Sequence, residues 1–364
     1  MGRTAILLND NLPTINFRGM KRYFHELSVG IAAKFGQQLL VYSPDKPDLQ
    51  DANYIKALCV GGQQPLRLNQ VAVSALALLT QPDVVFSIYY NDVATRARQV
   101  FTVYDMIPER LPHYYDRNHS GNRKFIAQKQ RCMARADLIL SISQNTARDL
   151  VECYPALASK PIVVAPLGVD EFFLQTPAHF EQKSARPYFL YVGHRRNHKN
   201  FRRLLDAFAR CEFRRAIELR VVSPDAFAAD ELELIQSLGL QETVHIELAI
   251  DDDALRTHYA GAVALIYPSE YEGFGLPILE AMACGTLVAT AACSSMPEVG
   301  GDVAFYFDPL DPDAMADVLT HVASVEPAHR QERIARGRTR AEAFSWDACR
   351  RRTIDAIMTL TGQP

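Results

Sequence analysis

The sequence predicts an α/β protein built from two Rossmann-like domains. Short runs rich in Val, Ile and Leu recur along the chain, and longer segments with helical periodicity separate them. The alternation restarts after a polar interval, "LQTPAHFEQKSARP", from Leu174 to Pro187. Fully apolar strands separated by helices are typical of parallel sheets covered on both faces. We therefore expect domains at 1–173 and 174–345 that face a central cleft, with a closing helix at 346–364 that completes the first domain.

Each predicted element follows from its apolar pattern. The strands predicted in the first domain are Thr4–Leu8, Gln38–Tyr42, Asp83–Ile88, Val100–Tyr104, Asp137–Ile142 and Pro161–Ala165. Its predicted helices are 19–35, 68–80, 120–135 and 144–153. The second domain is predicted to have strands Tyr188–Val192, Glu218–Val222, Val244–Leu248 and Val263–Tyr267 and helices 200–210, 229–238, 252–260 and 277–283. Open α/β sheets bind ligands beyond the carboxyl ends of their strands, so the turns at those ends are the candidate sites.

Composition excludes several classes of function. The 364 residues are 48% hydrophobic and 22% charged, enough for two cores, and a net charge of -3 argues against a strongly basic nucleic-acid binder. None of the seven cysteines forms a CxxC pair, so we expect reduced thiols and no zinc site. No run reaches the roughly 18 apolar residues that span a bilayer. We expect a soluble, cytoplasmic protein.

The stretch "EGFGLPILEAMACG" predicts a phosphate-binding turn before a helix. Gly273 and Gly275 allow the backbone to approach a ligand closely. Pro277 suits the first turn of a helix. The amides of Phe274, Gly275 and Leu276 should therefore point outward at the positive end of that helix, where anions bind.

Two carboxylates flank this turn. Glu280 lies one turn into the predicted helix, at a depth where it could accept the two hydroxyls of a ribose. Glu272 precedes the turn and could meet hydroxyls of a group attached to the far phosphate. The alternative is a plain junction of loop and helix with two solvated glutamates.

A second unusual run, "YVGHRRNHKNFRR", places five cations at a strand end and the start of a helix. They are Arg195, Arg196, Lys199, Arg202 and Arg203. Cations oppose the dipole at a helix N-terminus, so a bound diphosphate would account for some of them. We expect Arg202 and Arg203 to be solvated, and a solvated basic face is the alternative for the whole run.

These segments resemble the signature of the family 4 retaining glycosyltransferases. The resemblance rests on "EYEGFGLPILEAMACGTLVA" and, in order along the chain, on "RGMKRYFHEL", "VFTVYDMIPE", "ADLILSISQNTARDL", "PLGVD", "YVGHRRNHKNF" and "SSMPEVGGDVAFYFDP". It covers nearly the whole chain. It implies the glycosyltransferase B fold, with the acceptor bound by the N-terminal domain and the nucleotide sugar by the C-terminal domain.

The resemblance also implies a role for each candidate residue. Glu280 would bind the ribose and Glu272 the sugar hydroxyls, while Arg195 and Lys199 would neutralise the diphosphate. The base would lie near Leu248. The implied reaction is a retaining, metal-independent transfer of a hexosyl unit to a glycan or a lipid-linked glycan, from a UDP-sugar or, as the alternative, a GDP-sugar. No cofactor is expected beyond that donor, and the segments "DDD" and "DPD" are predicted to begin helices rather than to bind metal.

Two positions depart from the family pattern. Tyr104, followed by Asp105, stands where the family often has His near the primary hydroxyl of the sugar; Tyr can donate a hydrogen bond, but a role as general base is in doubt. Gly19 stands alone where a Gly-Gly pair is common, and we expect it at a helix start facing the phosphates. The basic helix 120–135 is either a surface helix or a peripheral contact with the inner face of the membrane.

Two other functions are compatible with the same fold. One is a nucleotide-sugar epimerase or hydrolase, which would use additional carboxylates and histidines. The other is a non-catalytic partner subunit, which would usually lose the phosphate-binding cations or the glutamates.

Overall fold

Parallel strands form two separate sheets in the computed structural model of this chain. The structure describes residues 5–10, 18–44, 49, 52–57, 66–115, 119–177, 186–195, 197–248 and 250–362. The strands are β1 Ile6–Asn9, β2 Leu39–Ser43, β3 Asn53–Lys56, β4 Val84–Ser87, β5 Arg98–Val103, β6 Leu138–Ser141, β7 Ile162–Val164, β8 Tyr188–Val192, β9 Glu218–Ser223, β10 Val244–Leu248, β11 Ala264–Tyr267, β12 Leu287–Ala291 and β13 Phe305–Phe307.

Helices connect these strands along the chain. They are α1 Arg18–Phe35, α2 Leu66–Thr80, α3 Ile107–Arg110, α4 Ser120–Arg135, α5 Gln144–Cys153, α6 Glu171–Leu174, α7 Phe201–Arg210, α8 Ala229–Ser237, α9 Asp252–Gly261, α10 Leu276–Ala283, α11 Met296–Gly300, α12 Pro312–Ala323, α13 Pro327–Glu342 and α14 Trp346–Thr361. Short 3₁₀ turns occur at Gly36–Gln38, Pro112–Tyr114, Pro155–Ser159 and Asn197–Lys199.

The chain divides into two compact units, residues 1–168 with 346–364 and residues 169–345. The predicted boundary, after residue 173, lies five residues later in the chain than the observed boundary after residue 168. The difference has a physical cause, since Val169 forms a parallel bridge with Ser345 and the Phe173 ring packs edge-on against Tyr259 at 6.0 Å. These contacts place the start of α6 in the second unit.

The strand order in the first sheet is β3-β2-β1-β4-β5-β6-β7, and in the second it is β10-β9-β8-β11-β12-β13. All of the pairings among these strands are parallel. In each sheet the chain winds outward in one direction, returns to the centre and winds outward in the other. This is the doubly wound arrangement of a Rossmann-like unit, and it confirms the predicted fold class.

Apolar strands occupy the core as the sequence predicts. All residues of β1, β2, β4, β6, β11 and β12 are buried. Helices cover them through apolar stripes at helical spacing, as in α7, where Phe201, Leu204, Leu205 and Phe208 are buried. The predicted strands and helices are present, with ends within two residues of those expected, except that the closing helix ends at Thr361, three residues before the predicted end. β3 was not predicted, because Asn53–Lys56 is a half-buried edge strand with little apolar pattern.

Two acidic segments begin helices, as expected. The Asp251 carboxylate accepts a hydrogen bond from the amide of Ala254 at the start of α9. The Asp311 carboxylate accepts from the amides of Asp313 and Ala314 at the start of α12. Both are ordinary N-caps, each contributing about 1 kcal/mol to its helix.

The closing helix α14 packs in the first unit, beside α1. The Arg350 Nη1 atom lies 2.5 Å from Glu26 Oε2, and the Trp346 ring is 6.5 Å from the ring of Tyr23. Trp346 is buried in this contact. It therefore has a packing role.

Candidate functional site

The second sheet has its topological switch point between β8 and β11. From β8 the chain continues to β9 on one side, and from β11 it continues to β12 on the other. In open parallel sheets, ligands bind at the carboxyl ends of the two strands at such a point. Those ends are Val192 and Tyr267, and the two unusual sequence runs follow them directly.

A partly buried ion pair joins these two runs. Lys199 Nζ lies 2.6 Å from Glu272 Oε1, and the Glu272 side chain is about one-tenth exposed. Burial acts to raise the pKa of Glu272, but the positive charges of Lys199 and His198 and hydrogen bonds from Lys199 and Ser269 outweigh it and hold the pKa below its ordinary value. The carboxylate is therefore ionised at neutral pH. An ammonium and a carboxylate, both held in place, face the end of the sheet.

The loop that carries Lys199 is fastened to the strand end of β11. The Asn200 side-chain amide donates to the carbonyls of Pro268 at 3.0 Å and Pro309 at 2.7 Å. The amide of Glu270 donates to the carbonyl of His198 at 2.7 Å. The position of Lys199 is thereby set by the segment that carries Glu272.

Two serines after β12 fix the backbone of the Glu272 turn. The Glu272 amide donates to Ser294 Oγ at 3.1 Å. The Ser295 hydroxyl, fully buried, lies 2.9 Å from the carbonyl of Glu272 and 2.7 Å from that of Phe274. Sequence analysis did not identify these serines, although "SSMPEVGG" belongs to the motif quoted above.

The start of α10 has the geometry of an anion site. Gly275 is its N-cap residue and adopts φ +117°, which lies in the left-handed region that favours glycine. The amides of Phe274, Gly275 and Leu276 donate no backbone hydrogen bond to another described residue. They sit at the positive end of the helix dipole, where phosphate is stabilised.

Glu280 lies in α10, half-buried, and is held by a residue that sequence analysis missed. The hydroxyl of Tyr259, in α9, donates to Glu280 Oε2 at 2.8 Å. Tyr259 is fully buried, and burial followed by the charge of Glu280 raises its pKa well above 10. The tyrosine therefore stays a neutral donor that orients this carboxylate.

Leu248 ends β10 with its side chain exposed, at 46% of its full accessible surface. It lies at the same edge of the sheet as the other predicted residues, because the carboxyl ends of parallel strands coincide. An exposed leucine there offers an apolar surface to a flat ring.

Arg195 is predicted to contact a diphosphate, but the structure gives its guanidinium partners within the chain. Its guanidinium contacts both oxygens of Glu231, at 3.0 and 3.2 Å from Nε, and the carbonyls of Asp225 and Ala226 at 2.8 and 2.6 Å. It also bonds to the Ser223 hydroxyl at 2.5 Å, and its side chain is 4% exposed. These contacts engage Nε and both terminal nitrogens, so the arginine ties the ends of β8 and β9 to α8 rather than offering free donors to a diphosphate. Arg196 lies outside the described residues.

Arg202 and Arg203 are surface groups, as expected of solvated residues. The Arg202 guanidinium lies 2.7 Å from Asp230, and both side chains are more than half exposed. Arg203, more than a third exposed, pairs with Glu270 at 2.5 Å. Among the described cations of this run, Lys199 is the one that pairs with Glu272.

The remaining predicted residues belong to the first unit. Gly19 is exposed in the first turn of α1. The Tyr104 hydroxyl donates to the carbonyl of Ile88 at 2.8 Å, and burial raises its pKa well above 10. The Asp105 carboxylate accepts from the amide of Ile107 at 3.0 Å. Tyr104 thus remains a neutral phenol, which argues against its acting as a general base.

Neither a metal-binding cluster nor a membrane-spanning helix is found among the described residues. Among them, no cluster of three or more His, Cys, Asp or Glu side chains is arranged to hold a metal ion. None of the helices described is both long enough and apolar enough to cross a bilayer.

Comparison with known proteins gives the family. The sequence model of "Glycosyltransferase Family 4" matches residues 17–171, and that of "Glycosyl transferases group 1" matches residues 175–340. The chain is 28% identical to the O-antigen chain mannosyltransferase B of Escherichia coli over 368 residues, which covers 96% of this chain and 95% of the relative.

Solved structures show the same fold. A sucrose-phosphate synthase from Thermosynechococcus elongatus superposes with a TM-score of 0.78 at 18% identity and covers 99% of this chain and 100% of its own. WaaG, a glycosyltransferase involved in lipopolysaccharide biosynthesis, superposes with a TM-score of 0.73 at 19% identity and covers 98% of this chain and 100% of its own. Two matching family models that together span most of the chain, and a fold shared with these enzymes, show that the chain belongs to the family 4, group 1 glycosyltransferases, with the glycosyltransferase B fold.

Proposed function

We propose that this protein is a retaining, metal-independent mannosyltransferase that extends a cell-surface polysaccharide. The observation that carries the proposal is the partly buried pair of Lys199 and Glu272 before the N-terminus of α10, at the switch point of the second sheet. The relative that aligns over 96% of this chain is an O-antigen chain mannosyltransferase, which supports both the sugar and the class of acceptor.

The donor would bind along the edge of the second sheet. The free amides of Phe274, Gly275 and Leu276 would hold the diphosphate, and Lys199 would share its charge between Glu272 and the phosphate oxygens. Glu280, oriented by Tyr259, would accept the ribose hydroxyls. Leu248 would give the base an apolar surface.

The chemistry required is departure of a diphosphate from the anomeric carbon. The Lys199 ammonium and the amides of α10 would stabilise the negative charge that develops on that leaving group, a contribution of about 2.7–4 kcal/mol for each well-placed donor. Glu272 would hold sugar hydroxyls and fix the position of the anomeric carbon. Retention of configuration would follow from attack on the face from which the diphosphate leaves, with a phosphate oxygen taking the proton of the acceptor.

The identity of the base follows from the proposed sugar. The resemblance of motifs alone favours a UDP-sugar, with a GDP-sugar as the alternative. Mannosyl units are activated chiefly as GDP-mannose, so the mannosyltransferase relative reverses this order. We therefore propose GDP-mannose as the donor and UDP-sugars as the competing class.

The acceptor is proposed to be a glycan or a lipid-linked glycan bound by the first unit. Gly19, Tyr104 and Asp105 are the predicted residues on that unit. In this proposal Tyr104 orients a hydroxyl and exchanges no proton, because its own proton is donated to the carbonyl of Ile88.

The test is a thermal-shift screen of the full chain against GDP, UDP, ADP and their sugar conjugates, followed by product analysis. Specific stabilisation by GDP and transfer of mannose to an oligosaccharide, with the α-configuration of the donor kept, is the expected result. Stabilisation by UDP alone would overturn the choice of sugar. Release of free sugar or an epimer without transfer would favour the hydrolase or epimerase, and a chain that binds none of these nucleotides would be a non-catalytic subunit.

A matched pair of variants locates the donor site. Lys199→Met should abolish most of the nucleotide-dependent shift, because it removes the ammonium near the turn. Arg202→Met should leave the shift unchanged, since Arg202, at the start of α7, pairs with Asp230 and both of these side chains are more than half exposed. Equal losses in both variants would contradict the assignment.

A further inference from the structure

The outer face of α2 exposes an aliphatic stripe. The exposed fractions are 59% for Leu68, 68% for Val71, 64% for Leu78 and 82% for Leu79. These four are the majority of the large hydrophobic side chains exposed on the described part of the chain. With Ala75, also exposed, they follow the three- and four-residue spacing of one helical face. Single exposed leucines are ordinary, but a continuous stripe of this kind marks an interaction surface.

The helix is firmly seated beneath this stripe. Val73 and Ala77 on its inner face are buried in the core that includes Leu7, Leu40 and Val85. The exposed side chains are therefore held in a fixed row by a folded helix. α2 contains no acidic residue, and its single charged residue is Arg67, in the first turn.

Two grooves adjoin the stripe, and the first of them continues its apolar surface. A groove of about 750 Å³ on one side is lined by Ile55, Leu76 and Leu79 and also by Lys56. A second, of about 690 Å³, adjoins Leu78 at the other end of the helix. The exposed apolar area is thus wider than the helix itself.

Cations surround this area. Lys56 borders the first groove, Arg96 and Arg98 line the second, and Arg67 begins the helix. All four are exposed. Arg98 bonds to Asp137 at 3.0 Å, and Asp83, the acidic residue that lines the second groove, is half-buried. An aliphatic stripe bordered by exposed cations matches a surface of acyl chains and anionic headgroups.

We propose that α2 is an interfacial helix that docks the first unit onto an anionic lipid bilayer, with Leu68, Val71, Leu78 and Leu79 inserted among the acyl chains. The inference assigns a membrane-binding surface to the proposed enzyme. It rests on the proposed function in one respect only, since access to a lipid-linked acceptor is the reason for the enzyme to bind a membrane. It also replaces α4 as the expected membrane contact. The apolar residues Phe125 and Ile126 of α4 are half-buried, and Met133 is fully buried.

A second copy of the chain is a less favourable binding partner for this surface than a membrane. A two-fold contact would place the same surface on both sides, so the cations that border one stripe would face those of the other. Like charges set against each other across an interface cost several kcal/mol. An anionic membrane turns the same cations into attractive contacts.

The test is flotation of the full-length protein with vesicles of phosphatidylcholine alone and of phosphatidylcholine mixed with phosphatidylglycerol. The wild type should float with the mixed vesicles. Leu78→Ser/Leu79→Ser should lower the partition coefficient at least about tenfold, and Arg67→Gln or Arg96→Gln should each lower it about fivefold. The matched control is Leu310→Ser, since Leu310 is 58% exposed but lies in the second unit.

Three results would overturn the proposal. The wild type could fail to float with the mixed vesicles, the Leu310 control could lose as much binding as the α2 variant, or the wild type could form a dimer that Leu78→Ser/Leu79→Ser dissolves. Circular dichroism should show that the α2 variant keeps its fold, because the substituted side chains are exposed. Vesicle binding needs neither donor nor acceptor, so its failure would leave the proposed transfer reaction intact, and a failed transfer assay would not affect the flotation result.

Discussion

Arg195→Ala distinguishes a structural arginine from a ligand-binding one. The guanidinium is 4% exposed and Glu231 is 10% exposed, with Arg195 Nη2 and Glu231 Oε2 3.0 Å apart. Removing one partner of a buried pair leaves the other charged and unpaired, at a cost of roughly 3–5 kcal/mol. The substitution also removes the contact of the guanidinium with the Phe227 ring, 5.0 Å away, which contributes about 0.5–1 kcal/mol. We expect the free energy of unfolding to fall by about 4 kcal/mol.

The assay is equilibrium urea unfolding followed by circular dichroism, with the slope of the transition compared between variants. Arg202→Ala is the matched control. Arg202 also pairs with an acidic residue of α8, Asp230, at 2.7 Å, but the two side chains are 57% and 67% exposed. The loss there should be within about 1 kcal/mol. The double variant Arg195→Met/Glu231→Leu should recover most of the stability, because no buried charge is left unpaired.

The opposite outcome would refute this reasoning. If Arg195→Ala unfolded at the same urea concentration as the wild type but lost its stabilisation by a nucleotide diphosphate, the guanidinium would be a ligand contact. The contacts with Glu231, Asp225 and Ala226 would then have to open when the donor binds.

Three further predictions concern the donor site. Glu272→Gln should lower turnover by about 10²–10³-fold while the chain stays folded. The pKa of Glu272 is depressed in the folded state, so the stability that this carboxylate contributes should be complete above its ordinary pKa of 4.5 and should be lost as the pH falls through the folded-state pKa. Thermal unfolding at graded pH should show this loss in the wild type and not in Glu272→Gln. Gly275→Ala should lower the free energy of unfolding in urea by about 1–3 kcal/mol, because Gly275 has a φ of +117° and the added Cβ would lie 3.2 Å from a side-chain carbon of the same helix. Gly337→Ala is the control, and it should not lower the free energy of unfolding because its Cβ would have no neighbour closer than 3.5 Å. Tyr259→Phe should raise the KM for the donor severalfold and leave kcat nearly unchanged, since it removes only the hydrogen bond that orients Glu280; a lower kcat at constant KM would contradict that role.

The sequence was sufficient for elements whose signals are local. α10 follows from a glycine turn, a proline and an apolar run that are contiguous in the chain, and the structure places the helix within one residue of the prediction. β3 was missed because an edge strand needs no continuous apolar run. β12 and β13 were not predicted either, although every residue of β12 is buried and three residues separate it from the end of α10.

The residues of the candidate site could be predicted from the sequence, but their hydrogen-bond and ion-pair partners could not. Lys199 and Glu272 were identified because each belongs to a contiguous run at a strand end. Tyr259 and Ser295 were not, since they lie 21 residues before Glu280 and 23 after Glu272, and only the folded sheet brings them together. The partners of Arg195 could not be predicted for the same reason. The carbonyls that hold its guanidinium come from the loop after β9, and no local pattern shows that they point towards it.

Backbone strain gives an independent indication of where function lies in the second unit. Among the described residues, the non-glycine positions with positive φ are Gln81, Asn197, Asn200 and Ser294. Asn197 and Asn200 lie in the loop that carries Lys199, and Ser294 lies in the loop after β12 that contacts the Glu272 turn, each at a cost of about 1–3 kcal/mol. Asn200 is held by its bonds to two proline carbonyls and Ser294 by its contact with the Glu272 amide. If the ion pair served only to stabilise the fold, unstrained loops and a solvated pair would do so at a lower conformational cost. The backbone strain is therefore better explained by a need to hold an ammonium and a carboxylate at fixed positions for a ligand.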